Sequence, residues 1–392
     1  MFSPSPYGWI AQYLIGFFFA YGVYLPFWSL WLEAQNVNAA DIGLLLGLGL
    51  AARCVANLFI TPRFHRPDAI LPALRILSAG AFLFITLHFF TTSSLWLMGA
   101  AIVLFNLCCG PIVPLSDALA NYYARLKMLD YGRTRLWGSV AFVAGSTVVG
   151  YLVSRYGANM ILITALVGVA FSIVIGLLNP TPRPTSHANA AQARPNLLHL
   201  MRENSVWRFL ALMALIQGSH AAYYAFSALY WKQSGHSEEI IGFLWSLGVV
   251  AEVVVFAFSR RWFGRFSLRS LFIVASLGVA LRWGLTASTT VLPALILVQL
   301  LHGITFAMAH IAAIRYIQSA PENRMVALQA LYNALPLGGF IALMTTLSGI
   351  GYELWGANVF WAMAAMGIMA LVIKLPPATD MTQSTKERGA SA

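Results

Sequence analysis

The sequence predicts an all-α membrane protein of twelve transmembrane helices in two groups of six. Three observations predict it. The 392 residues are 59% hydrophobic and only 9% charged, whereas roughly a quarter of a soluble domain is charged. Apolar runs of about 20 residues, the length that crosses a hydrocarbon core about 30 Å thick, recur from one end of the chain to the other. Lysine and arginine fall on alternate loops between those runs.

The runs lie at 8–32, 42–60, 70–90, 95–120, 135–154 and 158–178, then at 207–231, 240–259, 269–287, 291–316, 326–349 and 355–373. Between the two sets stands a polar interval, Asn179 to Val206, with Pro180, Pro182, Pro184 and Pro195. That composition predicts an exposed linker, in which Asn196 to Glu203 is expected to form a short surface helix. The expected organisation is a six-helix bundle over 1–178, a cytoplasmic linker over 179–206, a second bundle over 207–374 and a cytoplasmic tail over 375–392.

The formal charge of +11 belongs to one side of the membrane. Arg63 and Arg66, then Arg125, Lys127 and Arg133, then Arg183, Arg194 and Arg202 occupy alternate loops, followed by Arg260, Arg261, Arg265 and Arg269 and by Lys386 and Arg388 in the tail. The opposite loops carry Glu33, Asp41, Glu238, Glu239 and Glu353 against Arg155 and Lys232. The positive-inside rule therefore places both termini and the linker in the cytoplasm. The charge is a topology signal facing lipid headgroups, and no nucleic-acid partner is expected. The N-terminus lacks a basic n-region and a small-residue cleavage site, so the first run reads as a retained helix. Cys54, Cys108 and Cys109 all lie inside spans, as packing residues without disulfide or zinc-ligand spacing. No phosphate-binding loop, H-E-x-x-H or nucleophile elbow is present. A catalytic site, a metal and a cofactor are accordingly not expected, and an ion gradient is the expected energy source.

Charges inside the spans carry the functional signal, because an ionised side chain at mid-bilayer costs roughly 2.5 to 3.5 kcal/mol unless it pairs, faces water or handles substrate. Asn106, Gly110, Pro114, Asp117 and Asn121 recur at spacings of three and four along one face of the fourth run. Asp117 meets Arg135 if the fourth and fifth helices are antiparallel neighbours. There the arginine's planar fork suits a carboxylate or a pair of hydroxyls, the alternative being an ion pair that ties two helices. In the second half, Glu252, Arg282, His302 and Thr305 have the composition of a proton relay. His220, with Gln217 and Tyr224, and His310 form a weaker polar set. Arg53 lies inside the second span, where it either snorkels or pairs. Tyr13, Phe17, Tyr21, Tyr24 and Trp28 form an aromatic stripe that either packs or offers rings to a substrate.

Gly22 to Trp31, Ile42 to Gly49 and Tyr131 to Gly138 resemble the phenylpropionate permease family of the major facilitator superfamily. The chain is more distantly similar to the galactoside/proton symporters. The separation of Asp117 from Arg135, the Gly132-Arg133-x-Arg135 context, Arg282, His302 and Arg315-Tyr316-Ile317 carry the second likeness. Thr305 stands where those symporters place a proton-binding carboxylate, and Glu252 lies about one turn from their eighth-helix carboxylate. The resemblance implies the major facilitator fold, with two six-helix bundles containing inverted repeats that rock about a midplane site. It implies a monomeric inner-membrane importer that takes up a small aromatic carboxylate with protons. Asp117, Arg135, Tyr21, Tyr24, His220 and Tyr224 are then the candidate substrate-binding residues, and Glu252, Arg282 and His302 the candidate coupling residues. A sugar or nucleoside symporter and a drug or metabolite exporter are the alternatives.

Overall fold

The computed structural model describes residues 4–185, 200–201 and 203–375. Among them every regular element is a helix. Within the bilayer no water can hydrogen-bond an exposed peptide group, so each span must satisfy its backbone internally. The helices are α1 (Pro6–Ala34), α2 (Ala39–Phe59), α3 (Pro67–Leu87), α4 (Leu95–Arg125), α5 (Tyr131–Tyr156) and α6 (Asn159–Leu177). After the linker come α7 (Asn204–Gln233), α8 (Glu238–Phe263), α9 (Leu268–Ser288), α10 (Leu292–Gln318), α11 (322–355) and α12 (Val359–Val372). Among the described residues eleven continuous apolar stretches are long enough to cross a membrane, the last being the 49 residues of Arg324–Val372. At 1.5 Å per residue that stretch spans about 74 Å, more than twice the hydrocarbon core. It turns at Gly356–Asn358, where Gly356 has φ +55°, and so supplies two crossings. The twelve-helix expectation holds. Most of the expected surface helix, together with Arg194, Arg202, Lys386 and Arg388, lies outside the described residues.

Side-chain caps fix where several helices begin. Ser5 Oγ accepts from the Gly8 amide, Asn38 Oδ1 from Asp41 and Asp130 Oδ1 from Arg133, satisfying amides that the first turn leaves without partners. Arg75 of α3 holds the other end of α6, donating to the carbonyls of Gly176 at 2.6 Å and Leu178 at 3.1 Å.

The described residues form two compact units. The first holds those of 1–189, 224–246 and 345–354. Its centre is α1, packed on α5 and α6 through backbone contact. A Cβ on Gly22 would fall 2.3 Å from the Phe142 carbonyl oxygen, and one on Gly145 2.2 Å from that of Phe19. Helices in lipid gain little from hydrophobic exclusion, so they associate where small residues admit close approach. The acidic loop ends belong to this unit too. The Ala40 amide donates to the Glu353 carboxylate at 2.9 Å, Lys232 meets Glu238 at 3.4 Å, and Ser146 and Ser246 are 2.7 Å apart.

The second unit holds the described residues of 190–223, 247–344 and 355–392. Two of its helices change winding: Gly303–Met308 in α10 and Leu335–Phe340 in α11 are π-helical. The α7 path is interrupted at Ser219–His220, and in the first unit α4 is interrupted at Gly110–Pro111. Helices α4 and α10 are the fourth of each set of six. Interrupted helices in corresponding positions of two halves point to a transporter's binding region.

Candidate functional site

The second unit buries a continuous polar network on α7, α8, α9 and α10. Arg282 is fully buried. Its Nε donates to the Val298 carbonyl at 2.9 Å, and its Nη1 lies 2.9 Å from His302 Nδ1 and 3.0 Å from Thr305 Oγ1. The guanidinium lies over the rings of Tyr223 and Trp283, at 4.8 and 4.2 Å from their centroids. An arginine has no acceptor atom, so His302 Nδ1 must accept and its proton sits on Nε2. That nitrogen faces Glu252 Oε2 at 3.6 Å.

The same bookkeeping fixes His220. Its Nδ1 is 3.2 Å from the carbonyls of Ile216 and Gln217, which only accept, so Nδ1 carries the proton. Nε2 then accepts from Thr305 Oγ1 at 3.1 Å. Thr305 is thus a relay, receiving from Arg282 and donating to His220. The π segment of α10, which begins directly after His302, carries Thr305, and the α7 break carries His220. In this arrangement both histidine rings already have their lone-pair nitrogens engaged. Glu252, with a quarter of its side chain exposed, is the carboxylate that borders this network.

The first unit holds a different constellation on α1, α2, α4, α7 and α11. Tyr21, Tyr24, Arg53, Asn106 and Tyr224 line one small cavity, closed by Leu46, Leu50 and Thr345. Arg53 Nη2 donates to Asn106 Oδ1 at 3.3 Å, and its guanidinium lies 4.8 Å from the Tyr21 ring centroid. Asn106 Nδ2 donates to the Tyr24 hydroxyl at 3.0 Å and to the Ile102 carbonyl at 2.9 Å. The aromatic stripe therefore divides. Tyr13 packs inward on Ser78, while Tyr21 and Tyr24 face the cavity that holds Arg53.

Comparison with known proteins decides what kind of molecule carries these constellations. Residues 8–363 match the MFS_1 like family. Over 368 residues the chain is 44% identical to a protein of Escherichia coli (strain K12) named probable 3-phenylpropionic acid transporter, covering 93% of this chain and 96% of that one. This chain belongs to the phenylpropionate permease family of the major facilitator superfamily. It is also 26% identical over 369 residues to the maltose permease of Geobacillus stearothermophilus, covering 91% of each. The solved nucleoside transporter NupG superposes with a TM-score of 0.80 at 15% identity, covering 93% of this chain and 97% of that one. A D-xylose-proton symporter does so with 0.68 at 13%, covering 95% and 98%. Those two likenesses show the fold. The permease is a multi-pass membrane transporter and not an enzyme.

The remaining candidate residues divide by unit. Asp117 and Arg135 meet, Oδ1 to Nε at 3.4 Å, with about a quarter and a third of their side chains exposed. Phe18 lies under the Arg135 guanidinium at 4.3 Å. Tyr21, Tyr24 and Tyr224 share the first unit's cavity. His220, grouped with Tyr224 by sequence, belongs instead to the network of Glu252, Arg282 and His302. His310 bonds Tyr332 at 2.9 Å.

Sequence reasoning missed two contributors. Arg53 had no assigned role, although a charge deep in a predicted span was itself the signal. Gln299, which accepts from the Tyr223 hydroxyl at 2.9 Å, stands three residues before His302 on the same face and was visible only as one more polar residue.

Proposed function

We propose that this permease is a proton-coupled importer of small aromatic carboxylates, with 3-phenylpropionate as reference substrate, working by alternating access. The observation that carries the reading is the pairing of aromatic walls with a guanidinium in the first unit's cavity. An aryl ring finds aromatic neighbours there and a carboxylate finds a donor fork. The 44% identity to a protein named for 3-phenylpropionic acid supports the same substrate class. Asp117 and Arg135 organise the neighbouring part of the substrate path. Glu252 binds the proton, with Arg282 and His302 setting its surroundings.

In this reading the permease sits as a monomer in a bacterial inner membrane. The moving bodies are 1–178 and 207–374, joined by the linker 179–206 and followed by the tail 375–392, with both termini cytoplasmic. The spacing of Asp117 and Arg135, shared with galactoside symporters, favours one alternative, recognition of sugar hydroxyls.

Uptake of labelled 3-phenylpropionate into proteoliposomes, with and without an inward proton gradient, tests the proposal. Protein-free liposomes measure passive entry of the protonated acid. Protein-dependent accumulation abolished by a protonophore is the expected result. Accumulation of a sugar or nucleoside in its place, with uncharged polyols competing, would overturn the substrate assignment.

A further inference from the structure

We propose that Arg53, rather than Arg135, is the anchor for the substrate's carboxylate, with Asn106 holding the guanidinium in position and Tyr21 and Tyr24 flanking it. The inference rests on the reading of the permease as a carrier of aromatic carboxylates.

The first ground is charge accounting. Ion pairs in the described residues engage Arg66, Arg135, Arg155, Lys232, Arg324 and His302, and none of them engages Arg53. Arg53 nevertheless lies within a span, where a lone cation is costly unless something answers it. Its neighbours include the Tyr21 side chain, Tyr24, Cys109 and the Asn106 amide oxygen, uncharged groups that orient a guanidinium without neutralising it. Its Nε is buried and has no hydrogen-bond acceptor among the described residues. A donor left unmet at that depth is what an incoming carboxylate would satisfy, and the planar edge of the guanidinium can donate two parallel bonds.

The second ground is positioning. Asn106 is itself fixed by two donations from Nδ2, to Tyr24 and to the Ile102 carbonyl, so its Oδ1 is held toward Arg53. A Cβ on Gly49 would fall 2.7 Å from Asn106 Nδ2. A glycine one turn before Arg53 on α2 is thus what lets the asparagine reach in. Arg135, by contrast, already faces Asp117, and a carboxylate binding there would have to displace or oppose an existing anion.

The third ground is the wall. Leu46, Leu50, Tyr21, Tyr24 and Tyr224 give the cavity an apolar, aromatic lining around Arg53. About 30 Å³ is open to the centre of a water-sized sphere, space for roughly two waters. A phenyl ring therefore enters only as the tyrosine walls separate, which ties binding at Arg53 to the conformational cycle.

The test uses the full-length permease in lipid nanodiscs. Binding of labelled 3-phenylpropionate is competed by 3-phenylpropionamide, a neutral analogue of nearly the same shape. The wild type should prefer the acid by about 10- to 100-fold, the range of a hydrogen bond to a charged group. Arg53→Gln should bring that ratio to about one, while Arg135→Gln shifts both affinities together and keeps the ratio. Arg53→Lys, which retains charge but not the planar fork, should lower the ratio several-fold. It carries the test if thermal unfolding shows Arg53→Gln misfolded. An unchanged ratio in either folded Arg53 variant overturns the assignment while leaving the substrate class intact. A wild type that does not distinguish acid from amide overturns the substrate class itself.

Discussion

Replacing Glu252 by glutamine isolates the proposed coupling step. Of the described residues, Glu252 is the one carboxylate that meets the Arg282 and His302 network, at 3.6 Å from His302 Nε2. The acceptor nitrogens of His302 and His220 are engaged by Arg282 and Thr305. In the proposed coupling, the Glu252 carboxylate takes one proton per cycle. One pH unit is worth 1.36 kcal/mol per proton, so an inward gradient of one unit sustains about tenfold accumulation. The Glu252→Gln amide keeps the shape and an oxygen acceptor toward His302 but cannot release a proton. Labelled substrate in proteoliposomes, corrected for protein-free entry, should accumulate about tenfold with the wild type. It should reach a ratio of about one with Glu252→Gln, while exchange of internal for external substrate persists. Tenfold accumulation by Glu252→Gln would refute the assignment of the proton to this residue.

Three further predictions follow from the packing. Thr305→Val removes the acceptor for Arg282 and the donor to His220. At 1 to 3 kcal/mol for each stranded buried group, it should cost about 2 to 6 kcal/mol, read as a lowered thermal unfolding temperature in detergent; an unchanged temperature would mean that the relay is not formed. Gly145→Val places its Cβ against the Phe19 carbonyl and should destabilise by about 1 to 3 kcal/mol, the usual cost of overpacking, on the same assay. Asp117→Asn keeps the shape of a side chain that meets Arg135 loosely, at 3.4 Å and with no hydrogen bond to its Oδ1, so little stability rests on the pair. Weakened substrate binding at an unchanged unfolding temperature is therefore expected, whereas a large stability loss would make the pair a structural tie.

The spans were legible because each is a local property. A run such as 8–32 is apolar along its whole length, and bilayer thickness alone sets how long it must be. The merged stretch at Arg324–Val372 shows the limit. Continuous helicity hides a turn that the drop to Gly356 and Asn358 already marks in the sequence. The site was legible only in part. Asp117 and Arg135 stand out because charges in apolar runs are conspicuous, and so did Arg53. Its role was not legible, since it depends on Asn106, 53 residues away, and on Tyr21 of another helix.

The sequence by itself determined the membrane class, the number of crossings and which residues are too polar to be there by accident. Those follow from transfer free energy, which each segment feels alone. Only the tertiary structure decided that His220 joins Thr305, that Thr305 relays between Arg282 and His220, and that Arg53 faces Tyr21 and Asn106. Those are distances between side chains far apart in the chain, set by which small residues let helices touch and where α7 and α10 break. Periodicity within one helix carries no information about them.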